Sequence, residues 1–512
     1  MANVKVWIID FGSQYTQLIA RRVRELAVFS DIVLPNVKPA EIRANRVAAL
    51  ILSGGPASVY DKESPDLDPA IFEMGLPILG ICYGFQLMSR HFGARVHSEN
   101  RREYGRSKIT VLQKSPLFKD VPDQTTVWMS HGDHVDTLPT GFEIIAVSEN
   151  QAPAALVHRQ RALIGLQFHP EVIHTIDGIK ILSNFLFEIA GLKGDWTPGR
   201  FIEQTFAQIR HQTNGGKVLV ALSGGVDSSV MGVLLHRAIG DQCVPVFIDH
   251  GLLRQDEQLE VVRILKEDLD LPIRKYNYSH TFLKALKGVT NPEQKRKIIG
   301  REFIKAFEDV AAKYANLRYL AQGTLYPDVI ESRSVKGPSQ VIKSHHNVGG
   351  LPKRMKLELI EPFRSLFKDE VRRIGAELGV SANILNRHPF PGPGLGVRII
   401  GEITPRRLNL LRKADSIFIS ELRAAGDYER VWQAFTVLLP VKTVGVMGDQ
   451  RTYENVIALR SVNSSDGMTA DWSPLSHAVL SRVANRIVNE VRGINRVVYD
   501  LTSKPPGTIE WE

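Results

Sequence analysis

Cysteine is almost absent from this chain. Only Cys82 and Cys243 occur among 512 residues, too few for a disulfide framework or a Cys-rich zinc site, and a reducing cytoplasm is the expected location. No uninterrupted apolar run approaches the roughly 20 residues needed to span a bilayer, so no membrane association is expected. The opening MANVKVWIIDFGSQY has too short an apolar run for a signal peptide, and Asp10 interrupts it. There is no Lys/Arg block of the kind that marks a nucleic-acid tail, and no nucleic-acid partner is expected. The formal charge of +9, from 64 basic and 55 acidic residues, is a mild bias that suits anionic small molecules.

What is present is alternation. At roughly 150 residues per domain the length allows about three domains. VKVWIID, AALILSGG, LPILGICYG and RALIGLQFHPE read as short apolar strands separated by helical patterns, which predicts a wound, mainly parallel sheet. The Gly- and Pro-rich segment 191–199 reads as a linker. A second strand–helix series follows it, including a helix over NPEQKRKIIGREFIKAFEDVAAKY with Ile298, Phe303, Phe307 and Tyr314 near one face and its Lys and Arg on the wet face. HPFPGPGLG, residues 388–396, excludes helix and opens a third region of strands and two helices. The expected class is therefore α/β: two wound, mainly parallel-sheet domains, residues 1–192 and 196–387, and a small α+β domain, residues 388–512.

Cys82 sits in Gly80-Ile81-Cys82-Tyr83-Gly84, between an apolar strand and a helical pattern. A nucleophile between small residues on a strand-to-helix turn is the elbow arrangement, and the helix N-terminus favours thiolate over thiol. His169 supplies a base, with Glu171 two residues on to fix its tautomer. Ser53-Gly54-Gly55-Pro56 can present a backbone N–H to an oxyanion, and the Tyr83 N–H is the natural second donor. Cys243, in a strand with no base nearby, reads as core. With these motifs, the first region resembles class I glutamine amidotransferases. The resemblance implies Cys82, His169 and Glu171 as the triad, Gly55 and Tyr83 at the oxyanion hole, and Gln86 with the loop Ser130-His131-Gly132-Asp133 near L-glutamine. The other amidotransferase class, with an N-terminal cysteine, does not fit Met1-Ala2.

Ser223-Gly224-Gly225-Val226-Asp227-Ser228-Ser229 lies between a strand and a helix. Its glycines allow close backbone approach, and its N–H groups and hydroxyls can cradle phosphate at the helix N-terminus. Asp227 could help hold Mg²⁺. Without Gly-Lys-Ser/Thr it is not a Walker A loop. The region resembles N-type ATP pyrophosphatases, of adenine-nucleotide α-hydrolase-like fold, which cleave ATP between the α and β phosphates and adenylate a carbonyl oxygen. Asp249 falls where an acidic residue often meets a ribose. Asp328 and Glu331 are Mg²⁺ candidates and equally surface carboxylates. Lys343 and His345, in a segment with a Gly pair, are expected on a lid over the phosphates of ATP.

The order of these regions, ending KPPGTIEWE, resembles the family of glutamine-hydrolysing GMP synthetases over essentially the whole chain. That resemblance implies a C-terminal region that forms a homodimer and helps bind XMP, with Arg254, Gln433, Lys504, Ile509 and Glu510 as contacts. Arg254 and Lys504 suit a phosphate, and Gln433 and Glu510 suit base or sugar groups. The implied reaction is glutamine hydrolysis, adenylation of XMP by ATP, and displacement of AMP by ammonia.

Overall fold

The computed structural model describes residues 5–332, 357–447, 450–464 and 469–512, without the side chains of 98–102, 330–332 and 447. The chain divides into two compact units at Gln204/Thr205. The boundary falls inside the helix Pro198–Thr213. The Gly/Pro-rich segment ahead of that helix is anchored, not loose. Trp196 packs on Phe29 with ring centroids 4.8 Å apart, and Asp195 pairs with Lys5 at 2.5 Å.

The first unit is built on nine strands. β1 (Val6–Ile9), β2 (Ser30–Val33), β3 (Ala49–Leu52), β4 (Ile78–Ile81) and β9 (Leu163–Leu166) form a parallel half in the order β2-β1-β3-β4-β9. β1, β3, β4 and β9 are buried at every position, as strands covered on both faces must be. The sheet then continues antiparallel through β8 (Pro153–His158), β7 (Phe142–Ser148), β5 (Val96–Val111) and β6 (Gln124–Val135).

The second unit begins with a wholly parallel sheet in the order β12-β11-β10-β13-β14, made of β10 (Lys217–Ala221), β11 (Cys243–Asp249), β12 (Arg274–Asn277), β13 (Leu317–Ala321) and β14 (Glu358–Ile360). The order reverses around the central β10, and such a switch point opens a crevice at the carboxyl ends of the strands. A smaller sheet follows. β15 (Gln433–Met447) and β16 (Gln450–Asn463) form an antiparallel hairpin, with β17 (Asp471–Trp472) antiparallel and β18 (Ile494–Tyr499) parallel to β16. One hydrophobic cluster joins Leu252, Phe282 and Ile299 to Leu395, Leu411, Phe418, Leu438, Ile457 and Ile487, so the core continues across residue 388.

The long helix expected around residue 300 spans Pro292–Ala311, capped by the Asn291 side chain accepting from the Gln294 N–H. Two details differ from the sequence reading. Tyr314 lies beyond the helix end, and Ile299 is the deeply buried isoleucine, whereas Ile298 is only partly buried. Lys295 is not on the wet face: its side chain is fully buried and donates to the Ile399 carbonyl at 2.7 Å and to the Glu512 carboxylate.

Candidate active sites

The Gly-x-Cys-x-Gly spacing is explained by packing. A Cβ on Gly80 would lie 2.7 Å from the Gly84 carbonyl oxygen, and one on Gly84 would lie 2.5 Å from Leu52. Only glycines let the helix Tyr83–His91 seat this closely on β3 and β4. Between them Cys82 takes φ 52° and ψ −105°, a strained conformation for a side chain. Its N–H donates to Leu166 O at 2.7 Å. The sulfur is thereby presented at the end of β4, ahead of the helix.

His169 follows β9, the neighbour of β4. Its Nδ1 bonds Glu171 Oε1 at 2.7 Å, and both side chains are buried. A Cβ on Gly54 would touch both partners, 3.1 Å from His169 Cε1 and 3.7 Å from Cys82 Cβ. Burial alone would lower the His169 imidazole. The Glu171 carboxylate and the Cys82 sulfur outweigh it, and together they hold the imidazole well above its ordinary value. An imidazolium beside a sulfur is the charge arrangement of an activated thiol. The Tyr83 N–H is the first of its helix and has no acceptor within it. Gly55 packs tightly against Phe11 and Tyr83, where a Cβ would come within 3.0 Å of Phe11 O.

Replacing Glu171 by glutamine is expected to lower the glutamine hydrolysis that the resemblance implies by roughly 10²–10⁴-fold. With the carboxylate gone the imidazolium is less favoured, so the alkaline limb of the glutaminase pH–rate profile moves to lower pH. A profile that keeps its limb in place would remove Glu171 from this role.

Gln86 is buried and donates to Asp133 O at 2.8 Å, and Cys82 Sγ lies 3.6 Å from Ser130 O. Residues 130–133 are thus brought to the thiol, but as part of strand β6, not as a loop. Residues 131–133 sit where the β5–β6 register shifts, opposite residues 98–103, and Ser130 pairs with Tyr104. Glu103 stands in no local motif that would mark it in the sequence. Its carboxylate faces His131 Nε2 at 3.3 Å and accepts from Ser148 and Asn150. The His131 ring beside it is the main cause that holds the Glu103 carboxyl down to about 2. Tyr15, packed edge-on against the His169 ring at 5.1 Å, and Gln167, 3.9 Å from Cys82 Sγ, were not among the expected site residues either. Cys243 is buried and its thiol is pushed up to about 12 by burial, which leaves it inert at neutral pH.

In the second unit, β10 runs into residues 222–225, and the helix Val226–Ile239 starts with Gly225 at its N-cap. Gly224 has φ +79°, and a Cβ there would come within 2.5 Å of Val261. Ser223 Oγ and Ser228 Oγ are 3.1 Å apart and tie the loop to the helix. Ser229 is buried, its N–H donating to Gly225 O at 3.0 Å. Arg387 donates to Gly224 O at 3.0 Å and pairs with Glu260. The loop opens on a cavity of about 500 Å³, walled also by Val246–Ile248, Arg254, Phe390, Asp415 and Tyr428.

One Asp227 carboxylate oxygen is buried with no hydrogen-bond partner among the described residues. Burial raises the Asp227 carboxyl, aided by Asp328 and opposed by Lys368 and Arg372. A buried carboxylate oxygen without a hydrogen bond, beside a loop expected to hold phosphate, fits Mg²⁺, which usually takes one or two carboxylates together with substrate phosphates. Asp328 is in the same field, but its Oδ2 accepts from Leu325 N at 3.0 Å, at the start of the helix Tyr326–Ser332. The Glu331 side chain, Lys343 and His345 lie outside the described residues.

Asp249 ends β11, but it does not line the cavity. Its Oδ1 accepts from Gly251 N at 3.0 Å and its Oδ2 lies 3.9 Å from Lys275. Arg254 does line the cavity, with its charge already matched by Asp415, Nε to Oδ2 3.1 Å. Gln433 and Glu510 do not line the cavity either, and are bonded to each other at 2.8 Å. Ile509 is buried with Phe435, Val437 and Val462, and the Lys504 backbone pairs with Ala470.

Comparison with known proteins bears on all three regions. A family model for class I glutamine amidotransferase matches residues 7–189, one for NAD synthase matches residues 200–321, and one for the GMP synthase C-terminal domain matches residues 420–511. Relatives align end to end. The chain is 58% identical over 513 residues to a GMP synthase (glutamine-hydrolyzing) of Chlorobium chlorochromatii, covering 99% of each. It is 57% identical over 514 residues to that of Chlorobaculum tepidum, again covering 99% of each. It is 55% identical over 517 residues to that of Nitratiruptor sp., covering 100% of each.

Proposed function

Because the chain belongs to the glutamine-hydrolysing GMP synthases, and so makes GMP with glutamine as nitrogen donor, we propose that XMP is its acceptor and that the residues described above carry the two half-reactions. The observation that carries the reading is that one chain holds both a cysteine on a strained turn beside a buried, carboxylate-paired histidine and a glycine–serine loop that opens on a cavity.

At the first site the Cys82 thiolate attacks the side-chain amide carbon of glutamine. Gly55 and Tyr83 N–H groups receive the oxyanion, and the His169 imidazolium protonates the departing nitrogen, which leaves as ammonia. His169, now neutral, takes a proton from the water that cleaves the glutamyl thioester. At the second site a carbonyl oxygen of XMP attacks the α-phosphorus of ATP. The loop 223–229 holds the pyrophosphate that leaves, and ammonia then displaces AMP from the adenylated carbon to give GMP. Ammonia cannot expel a bare carbonyl oxygen from such a ring, which is why the adenylate is needed. Mg²⁺ bound with ATP would neutralise phosphate charge, with Asp227 as its protein ligand. Asp227→Asn is expected to raise the Mg²⁺ concentration for half-maximal AMP release about 10–100-fold; an unchanged requirement would place the ion elsewhere.

The homodimer reading is supported by the far half of the β15–β16 hairpin. Val441, Val444, Val446 and Tyr453 are exposed there, and Val444 pairs with Tyr453. Apolar side chains grouped on a strand pair suit a partner surface. A cytoplasmic setting is supported by two free cysteines, one of them the nucleophile. The test of the acceptor is direct. With glutamine, ATP and Mg²⁺, XMP should yield equal amounts of GMP, AMP, pyrophosphate and glutamate. Deamido-NAD is the control that the NAD synthase match calls for; turnover of it in place of XMP would reverse the assignment.

A further inference from the structure

Arg398 lies far in sequence from the residues expected at the nucleotide, yet it touches their network at several points. Its side chain is fully buried. Its Nε donates to Glu510 Oε2 at 3.0 Å and its Nη2 to Glu510 Oε1 at 2.8 Å, a two-pronged grip. The guanidinium stacks over Phe435 at 4.1 Å and Phe390 at 5.2 Å. Phe390 is a wall of the cavity and also carries the Arg254 guanidinium at 5.1 Å. The main chain is pinned too, with Leu438 N donating to Arg398 O at 2.8 Å.

The consequence reaches Gln433. Its Nε2 donates to Glu510 Oε1 at 2.8 Å and to Pro389 O at 3.1 Å. Both neighbours are acceptors, so the amide can face only one way, and both its protons are committed. The group left to Gln433 is its carbonyl oxygen, an acceptor for an N–H or O–H. That orientation depends on the Glu510 carboxyl being held in place, and Arg398 is what holds it. A planar guanidinium sets both the position and the plane of a carboxylate, which a lysine cannot do.

We infer that Arg398 is a positioning residue for XMP: by gripping Glu510 it locks Gln433 as a hydrogen-bond acceptor for the nucleotide. The inference rests on the reading that Gln433 and Glu510 meet XMP. It is tested with ammonia as nitrogen donor, so that the first site plays no part, by measuring KM for XMP and for ATP separately. Arg398→Lys and Arg398→Met should each raise KM for XMP about tenfold or more, while KM for ATP stays within about twofold. A purely structural role would move both constants together, and that result, or an unchanged KM for XMP, overturns the inference. If Arg398→Met does not fold, Arg398→Lys decides alone. Glu510→Gln separates the two levels. If it raises KM for XMP and the Arg398 variants do not, the inference alone fails. If it leaves KM for XMP unchanged, the placement of Glu510 at XMP fails with it.

Discussion

Replacing Cys82 by alanine is expected to lower glutamine-dependent GMP formation by roughly 10⁴–10⁶-fold, the scale on which loss of a covalent nucleophile is felt. GMP formation from added ammonia should stay near the unmodified rate. The split follows from the architecture. Cys82 acts at the carboxyl end of β4 in the first unit, whereas the phosphate cradle follows β10 in the second. The substitution is also mild on the fold. Alanine fills less space than cysteine and inherits the same φ of 52°, so the strain at the turn is carried over, not added. Equal loss with both nitrogen donors would mean that Cys82 supports the structure and not the chemistry. Retained glutamine use would dismiss it as the nucleophile.

The second large effect belongs to Gly224→Ala. The backbone there has φ +79°, and the new Cβ would stand 2.5 Å and 2.7 Å from the two methyl carbons of Val261. The first term costs about 1 kcal/mol or somewhat more. The second cannot be relieved without moving the loop or the helix Glu257–Arg263. A cradle of the proposed kind would work by placing backbone N–H groups against phosphate oxygens, so a shift on the order of 1 Å is expected to cost about 10²-fold or more in kcat/KM for ATP. Both nitrogen donors should suffer equally, the opposite pattern to Cys82→Ala. Normal ATP kinetics in this variant would mean that the loop does not hold the pyrophosphate.

Much of this was readable in the sequence because it is local. The strand, the glycines and the cysteine of residues 78–84 are contiguous, and so are β10 and its loop. What was hidden is pairing over distance. Gly84 needs to be glycine because of Leu52, which no window around Cys82 reveals. Glu103 meets His131 across the β5–β6 ladder, and Arg398 meets Glu510 over a gap of 112 residues. Residues 130–133 were expected as a loop from the resemblance alone; in the structure they belong to β6, where extra residues of β5 between Ser98 and Glu103 shift the register. Lys295 read as solvent-facing because its charge says so, but Glu512 and two backbone carbonyls accept its protons in the interior. Asp249 was placed at a ribose by spacing alone; in the structure its Oδ1 accepts from the Gly251 N–H.

The most direct test of the central claim is a single reaction with glutamine labelled with ¹⁵N at its side-chain amide, supplied with XMP, ATP and Mg²⁺. GMP should carry the label on its 2-amino group, with one AMP and one pyrophosphate formed for each GMP. Unlabelled GMP, or ADP and phosphate in place of AMP and pyrophosphate, would contradict it.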